Sequence, residues 1–323
     1  MRTRQLVAQL RADLGMAAPL PPPPEVTRIP APPSRIFPVK SASDRAGAAM
    51  SAFAKDAAQH TTALVGIGCV GTRYATDVVL QFQAELAVAH AAVAAELPED
   101  WAESRGMLPL RSRVGDHREY LLRPDLGRRL DAASLALLRS RAKRDIDVQP
   151  ILADGLSAVA TMGAGVALLE AFSDACRARG WSVGTPMCAR FARVWLEDEI
   201  GQEVNARVAV ILLGERPGLG TGDGLSAYLV HGPQIGRTDG DRNMMSNIHA
   251  RGVPPQQAGA RLAVLVGAML DQGRSGVDLD LSGLTRELGD AASGGYRAPQ
   301  ERVRLVDMSS QPAARTMNRE TPR

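Results

Sequence analysis

The chain has 323 residues, with 38 Lys and Arg against 35 Asp and Glu, and 45% of its residues are hydrophobic. That length accommodates one large domain or two small ones with tails, and the apolar fraction excludes wholesale disorder. A net charge of +3, aromatics at 4% and the absence of RRM, zinc-finger or dense basic-helix patterns weigh against a nucleic-acid partner.

The first segment, "MRTRQLVAQLRADLGM", reads as a short helix with Val7, Leu10 and Leu14 on one face. A proline-rich stretch follows, "PLPPPPEVTRIPAPPSRIFP", which is extended and semi-rigid by composition. Residues 1–42 are therefore expected to be an arm and linker. Residues 43–145 carry helical signals. In "TDVVLQFQAELAVAHAAVAAEL" the stripe is Val79, Phe82, Leu86 and Val93, with Thr76 as N-cap. In "RPDLGRRLDAASLALLRSRA" it is Leu126, Leu130, Ala133 and Leu137. Both read as packing helices of a small helical domain.

From residue 146 short apolar runs alternate with amphipathic helices. "IDVQPILADGLSA" reads as a strand ending at Asp154 and Gly155. The helix after it buries Val166, Leu169, Phe172 and Cys176 and stops at Gly180. "WSVGTP" and "CARFARVWL" read as strands. "ARVAVILLGERPG" is the strongest strand, bulky enough to be buried on both faces, and "SAYLVHGP" is a further one. "PPQQAGARLAVLVGAMLDQG" is the last helix, with Pro254 and Pro255 at its start, Leu262, Leu265, Val266 and Met269 buried and Gly273 as its stop. The expected fold class is α/β: a Rossmann-like, mostly parallel, three-layer sheet over residues 146–277, preceded by the helical domain. Residues 278–323 read as a disordered tail, with one helical turn near "LSGLTRELG".

In such sheets ligands gather beyond the carboxyl ends of strands. The loops that matter are Asp154 to Ser157, Arg193 to Glu197 and Glu215 to Gly224. The last begins like a phosphate cradle, but Asp223 breaks the GxGxxG spacing, no terminal Gly-Lys follows, and the next apolar run reads as a strand. Ser157 and Ser226 each follow "DGL", yet neither sits in GxSxG. His60, His90, His117, His231 and His249 show no metal-ligand spacing, and His249 in "SNIHARG" reads as a hydrogen-bonded structural histidine. Glu197, Asp198, Glu199 and Glu203 in "WLEDEIGQE" read as solvated carboxylates near a helix start. No catalytic set is complete and no metal site is expected. Cys69, Cys176 and Cys188 are too few and too far apart for a disulfide frame. No apolar run reaches the roughly 18 residues of a membrane span, and no secretory h-region opens the chain. The expected location is cytoplasmic, with a bacterial microcompartment interior left open.

Six ordered stretches, "YLLRPDLGRRL", "DVQPILADGLSA", "VGTP", "RVWLEDEIGQ", "VILLGERPGLGTGDGLSAY" and "DRNMMSNIHARGVPP", carry a resemblance. Over about residues 98–275 the chain resembles the small (light) subunit of ethanolamine ammonia-lyase. The resemblance implies an adenosylcobalamin-dependent enzyme converting ethanolamine to acetaldehyde and ammonia. In that family the large subunit holds the substrate in a TIM-type barrel, the cofactor carries the hard chemistry, and the small subunit closes over cobalamin in a hetero-oligomer. Three family cobalamin contacts fall on Val194, Glu215 and Met244, the last where the family has cysteine. The family's GRAG loop is replaced here by residues around Cys69 and Val70. Two other readings stay open: a stand-alone Rossmann-like module for a nucleotide or sugar phosphate, and a divergent paralogue acting only as an interaction protein.

Overall fold

The computed structural model describes residues 71–219, 222–250, 252–282 and 284. The N-terminal helix, the proline-rich arm, His60, the Cys69–Val70 loop and the tail beyond 284 lie outside the described residues.

Elements follow one another as α1 (Thr76–Ala94), β1 (Leu108–Arg111), α2 (His117–Leu122), α3 (Ala132–Arg141), β2 (Ile146–Ala153), α4 (Ala158–Ala178), β3 (Met187–Arg190), α5 (Leu196–Glu203), β4 (Ala206–Gly214), β5 (Leu225–His231), β6 (Arg242–Ile248) and α6 (Pro255–Gln272). The six strands form one sheet in the order β1-β3-β2-β4-β5-β6. The first four are mutually parallel, whereas β5 and β6 run antiparallel to their neighbours. The sheet is therefore mixed, which corrects the expectation of a mostly parallel, Rossmann-like one. The reason is length: residues 215–224 between β4 and β5 are too few for a crossover helix, so the chain must return as a hairpin.

β4 needs both its faces covered, and its residues from Val208 to Leu212 are fully buried. On one face α4 and α6 pack Leu168, Phe172, Leu262 and Met269 against Leu152, Val208 and Val210. On the other, α3 and α5 pack Leu138, Leu196 and Ile200 against Ile151, Ile211 and Leu213. Each fully buried aliphatic side chain contributes about 1.5–3 kcal/mol of transfer free energy, so the order of strands is held chiefly by these two clusters. α4 opens through a π-helical turn, Thr161–Gly165, and closes at Gly180 with φ +80°. By length and composition α4 is apolar enough to cross a membrane, unlike the expectation that no segment is; here Leu168 and Phe172 sit wholly inside the core. α6 has Pro255 in its first turn and ends at Gly273, φ +66°, as its end signals required.

Other expectations changed. α1 exists, but it buries Val78, Gln81, Glu85, Ala89 and Ala92 and leaves Val79 and Leu86 exposed; Phe82 and Val93 are half-buried. Its N-cap is Ala75 rather than Thr76. The pattern at 126–137 is broken: Leu126–Arg128 is a 3-10 turn, and α3 starts at Ala132 with the Asp131 carboxylate capping Ser134 N–H at 2.6 Å. "WSVGTP" contributes only a bridge from Val183 to Val148, and the strand in "CARFARVWL" stops at Arg190, before Phe191 at φ +53°. β1 and β6 were not anticipated. β6 carries one extra residue between Met245 and Ile248, where Asn247 has φ +60°.

Candidate functional site

The carboxyl ends of β2, β3 and β4 meet at one pole of the sheet, and two of the three loops singled out above touch there. Leu156 N–H donates to Gly214 O at 2.9 Å, and Ser157 Oγ donates to Gly222 O at 3.1 Å. Gly155 (φ +56°) and Gly214 allow this contact: a Cβ on either would collide with backbone of the other strand's end.

Asp154 ties the β2 end to the β3 end. It is 5% exposed, and its two carboxylate oxygens accept from Phe191 N–H at 2.8 Å and Ala192 N–H at 3.2 Å. Burial pushes its pKa up to about 6, against the pull of those two amides. The chain from Phe191 to Val194 is pinned from other sides as well. Ser112 Oγ donates to Phe191 O, Tyr120 Oη to Ala192 O, and Arg193 N–H to Gly127 O, at 2.7, 2.9 and 2.8 Å. The Arg193 guanidinium lies over the Tyr120 ring and donates to Tyr120 O. These bonds hold the loop from several sides, although the buried Arg193 Nε has no partner among the described residues. It delivers Val194 and Trp195 to the start of α5.

The acidic run of α5 is the largest departure from expectation. Glu197, Asp198 and Glu199 are 0%, 2% and 3% exposed, not solvated. Together they fix three neighbours: residues 129–130, β4 and β6. Glu199 accepts from Leu130 N–H at 2.5 Å and from Arg129 Nε at 3.1 Å, fastening residues 129–130 to the helix. Glu197 accepts from Ile211 N–H on β4 at 3.2 Å and from Arg242 Nη1 on β6 at 2.5 Å. Asp198 accepts from Arg242 Nη2 at 3.0 Å, while its other oxygen is buried without a donor. Two carboxylates around one guanidinium leave an excess of negative charge out of water. Burial, with Asp198 adding to it, pushes Glu197 up to about 8, although Arg242 pulls the other way. Burial opposes the charge on Arg242, but Glu197 and Asp198 outweigh it and raise its pKa. Glu203 behaves as expected of an outer carboxylate, paired with Arg139 at 2.7 Å.

Where do Val194, Glu215 and Met244 lie? Strand alternation places Leu225, Ala227 and Leu229 of β5 toward α4 and α6. Tyr228 therefore faces α5, and both it and Val194 pack against the α5-side cluster. Met244 is the cross-strand partner of Tyr228 and is 52% exposed. Glu215 follows β4 directly; its Oε1 accepts from Ser226 Oγ, and it raises the Tyr228 pKa after burial has done so. Among the described residues no donor reaches Glu215 Oε2. The structure thus places all three on the α5 side of the sheet, with Met244 and Glu215 beside Tyr228. Trp195 borders the group, its Nε1 donating to Asp239 at 2.6 Å and its ring under the Arg128 guanidinium at 4.1 Å. A shallow cleft at the β2–β3 junction, lined by Val93, His117, Asp154, Leu156 and Phe191, includes none of the three.

Sequence reasoning missed Arg242 and Tyr228. Arg242 is a lone arginine in a polar stretch, and only the unusual density of carboxylates in α5 hints that a cation is needed. His249 is buried and bonded through Nε2 to Asn247 Oδ1 at 2.6 Å, in keeping with a structural role. Ser157 caps α4 and Ser226 donates to the Glu215 carboxylate, and neither has a histidine partner among the described residues. Among the described residues no three His, Cys, Asp or Glu side chains form a metal-binding group. Cys176 and Cys188 are free and buried.

Fold and site together define a mixed-sheet α/β protein with a rigid loop pole and a partly open, mixed polar and apolar face beside it. Residues 52–280 match the family model described as ethanolamine ammonia-lyase light chain (EutC). The chain belongs to that family, whose members are light chains of a lyase complex.

Proposed function

We propose that this light chain holds adenosylcobalamin against the large subunit of ethanolamine ammonia-lyase, through Val194, Glu215 and Met244. The observation that carries the reading is that all three lie on the same, α5-facing side of the sheet, Met244 and Glu215 beside Tyr228. The residues present suit a corrinoid, whose rim of amides offers donors and whose body offers apolar surface. Glu215 keeps one carboxylate oxygen open to accept from such an amide or hydroxyl. Met244 presents an exposed, polarizable side chain for apolar contact. Val194, half-buried on a pinned loop, offers backbone groups and a small methyl surface at fixed position. When bound, the cofactor supplies the radical chemistry of the deamination. What this chain's residues do is bind, orient and exclude water, with the substrate pocket assigned to the partner. The location fitting this role is the cytoplasm or a microcompartment within it. The nucleotide-module reading is disfavoured because a strand, not a helix, follows the glycine-rich loop.

Replacing Glu215 with Ala in the two-subunit complex is expected to weaken adenosylcobalamin about tenfold, the loss of one charge-assisted hydrogen bond. Subunit association, followed by size-exclusion chromatography, should be unchanged. A cofactor titration giving wild-type affinity would count against the assignment.

A further inference from the structure

We propose that Arg242 is a positioning residue for the cofactor-facing side of this chain, acting through α5 and β6 rather than by touching the cofactor. The proposal rests on the reading just given for Val194, Glu215 and Met244. Those residues come from three separate elements: the loop before α5, the end of β4, and β6. Something must fix α5 and the two strands relative to one another to within a fraction of an ångström, and apolar packing alone is not directional.

Arg242 has that directionality. It lies two residues before Met244 on β6 and is fully enclosed, with 2% of its side chain exposed. Its fork reaches four acceptors: Glu197 by Nη1, Asp198 by Nη2, Thr238 O by Nε at 3.1 Å and Arg237 O by Nη2 at 3.3 Å. Glu197 in turn accepts from Ile211 N–H, in the strand that Glu215 directly follows. Glu197 also donates its own N–H to Val194 O at 3.1 Å. One guanidinium therefore links β6, α5 and β4, and through Glu197 the backbone of Val194. A planar five-donor fork specifies angles as well as distances, which a lysine ammonium cannot. The indole of Trp195 closes the same assembly, with the Arg242 guanidinium 5.8 Å from its ring centre.

The test uses the purified two-subunit complex, with cyanocobalamin titrated by difference absorbance and adenosylcobalamin varied in turnover assays. Two variants are compared: Arg242→Lys, and the triple Arg242→Met, Glu197→Gln, Asp198→Asn. The triple replaces all three buried ionisable groups and leaves no charge unpaired, so it is the variant with the better prospect of folding. Both are expected to assemble and to bind cyanocobalamin about tenfold more weakly, the scale seen when supporting residues behind a ligand are lost. The KM for adenosylcobalamin should rise by a similar factor, while kcat at saturating cofactor stays within about twofold. Wild-type affinity in either assembled variant would overturn the positioning role. So would loss of assembly in both, since that would make Arg242 a folding residue. A wild-type complex that binds no cobalamin would overturn the cofactor reading and this proposal together, and so separates the two failures.

Discussion

Gly155→Ala is expected to lower the stability of this chain by about 2–5 kcal/mol, the combined scale of a left-handed non-glycine residue and an overpacked core. Gly155 has φ +56°, and a Cβ there would run into Gly214 O and the Leu213 side chain. Relief cannot come from a flexible side chain alone, because Gly214 O is backbone at the end of the central strand. It also accepts the Leu156 N–H, so displacing it breaks a buried hydrogen bond. For a domain of this size the thermal midpoint should fall by roughly 10 °C. Gly163→Ala makes a fitting control, since Gly163 is exposed and no atom lies within 4 Å of where the added methyl group would sit. That change should be neutral or slightly stabilising. Calorimetry on the two variants decides the matter: equal midpoints would show that the β2 and β4 ends do not meet as described. Because Glu215 follows Gly214, the same substitution should also displace the carboxylate proposed to meet the cofactor.

The second large effect concerns the proton held among Glu197, Asp198 and Arg242. Burial raises Glu197 from 4.5 in the open chain to about 8 in the fold, so between those values the folded state binds more protons than the unfolded one. Stability must then fall as pH rises through that window, and the loss is complete above about pH 8. The groups facing Glu197 are Arg242 from β6, Asp198 from its own helix and Tyr228 from β5. Arg242 stays charged throughout. Asp154, raised to about 6, acts with the same sign but only below that pH. His231 is depressed by burial, so it acts with the opposite sign and is finished by about its ordinary value of 6.5. Cys176 and Cys188 are pushed up by burial and add their own fall only above their ordinary range. Asp198 is raised by burial as well and is coupled to Glu197 through Arg242, so between pH 6.5 and 8 the decline belongs to this buried pair, with Glu197 reaching highest. A thermal midpoint that drops by several degrees across this interval in the wild type should be nearly flat in Glu197→Gln. An equal slope in both would remove the buried proton from the account.

Much of the fold was legible because its longest elements carry redundant signals. β4 is nine residues with scarcely a polar side chain, and α6 has a proline at one end and a glycine at the other. Where signals were thin, reading failed for definable reasons. β1 is four residues including a proline, and β6 reads as "RNMMSNI" because an edge strand leaves only Arg242 and Ile248 fully buried. α1 is so rich in alanine that two stripes one residue apart look equally apolar, and tertiary contact chose the stripe with Gln81 and Glu85, which bond each other at 2.8 Å. The three loops stood out in the sequence, since their glycines and aspartates need no partner to be noticed, and the structure joins two of them at the strand ends. The role of the α5 carboxylates was not legible: Arg242 is remote in sequence, and nothing local says that three acids in a row will be enclosed. Val194, Glu215 and Met244 came from family resemblance, and the placing of Glu215 and Met244 beside Tyr228 depends on a hairpin that the expected parallel sheet lacked.

That hairpin also bears on how the molecule assembles. The parallel half of the sheet closes over long detours: Ile146 meets Ala206 only after α4, β3 and α5 have been threaded, and Leu108 meets Met187 after longer still. The antiparallel half is local, with Gly214 meeting Leu225 across a single loop. Loop-closure entropy is smallest there, and non-local pairing is what slows folding. β4, β5 and β6 are thus expected to pair early, as a three-stranded meander onto which β2, β3 and β1 dock in turn. Conservative substitutions at Ala227 or Leu229 should then slow refolding, whereas those at Leu110 should mainly speed unfolding. The reverse pattern in stopped-flow kinetics would place the nucleus in the parallel half. On this order of events the strand bearing Met244 is in place before the loop bearing Val194 has anywhere to rest.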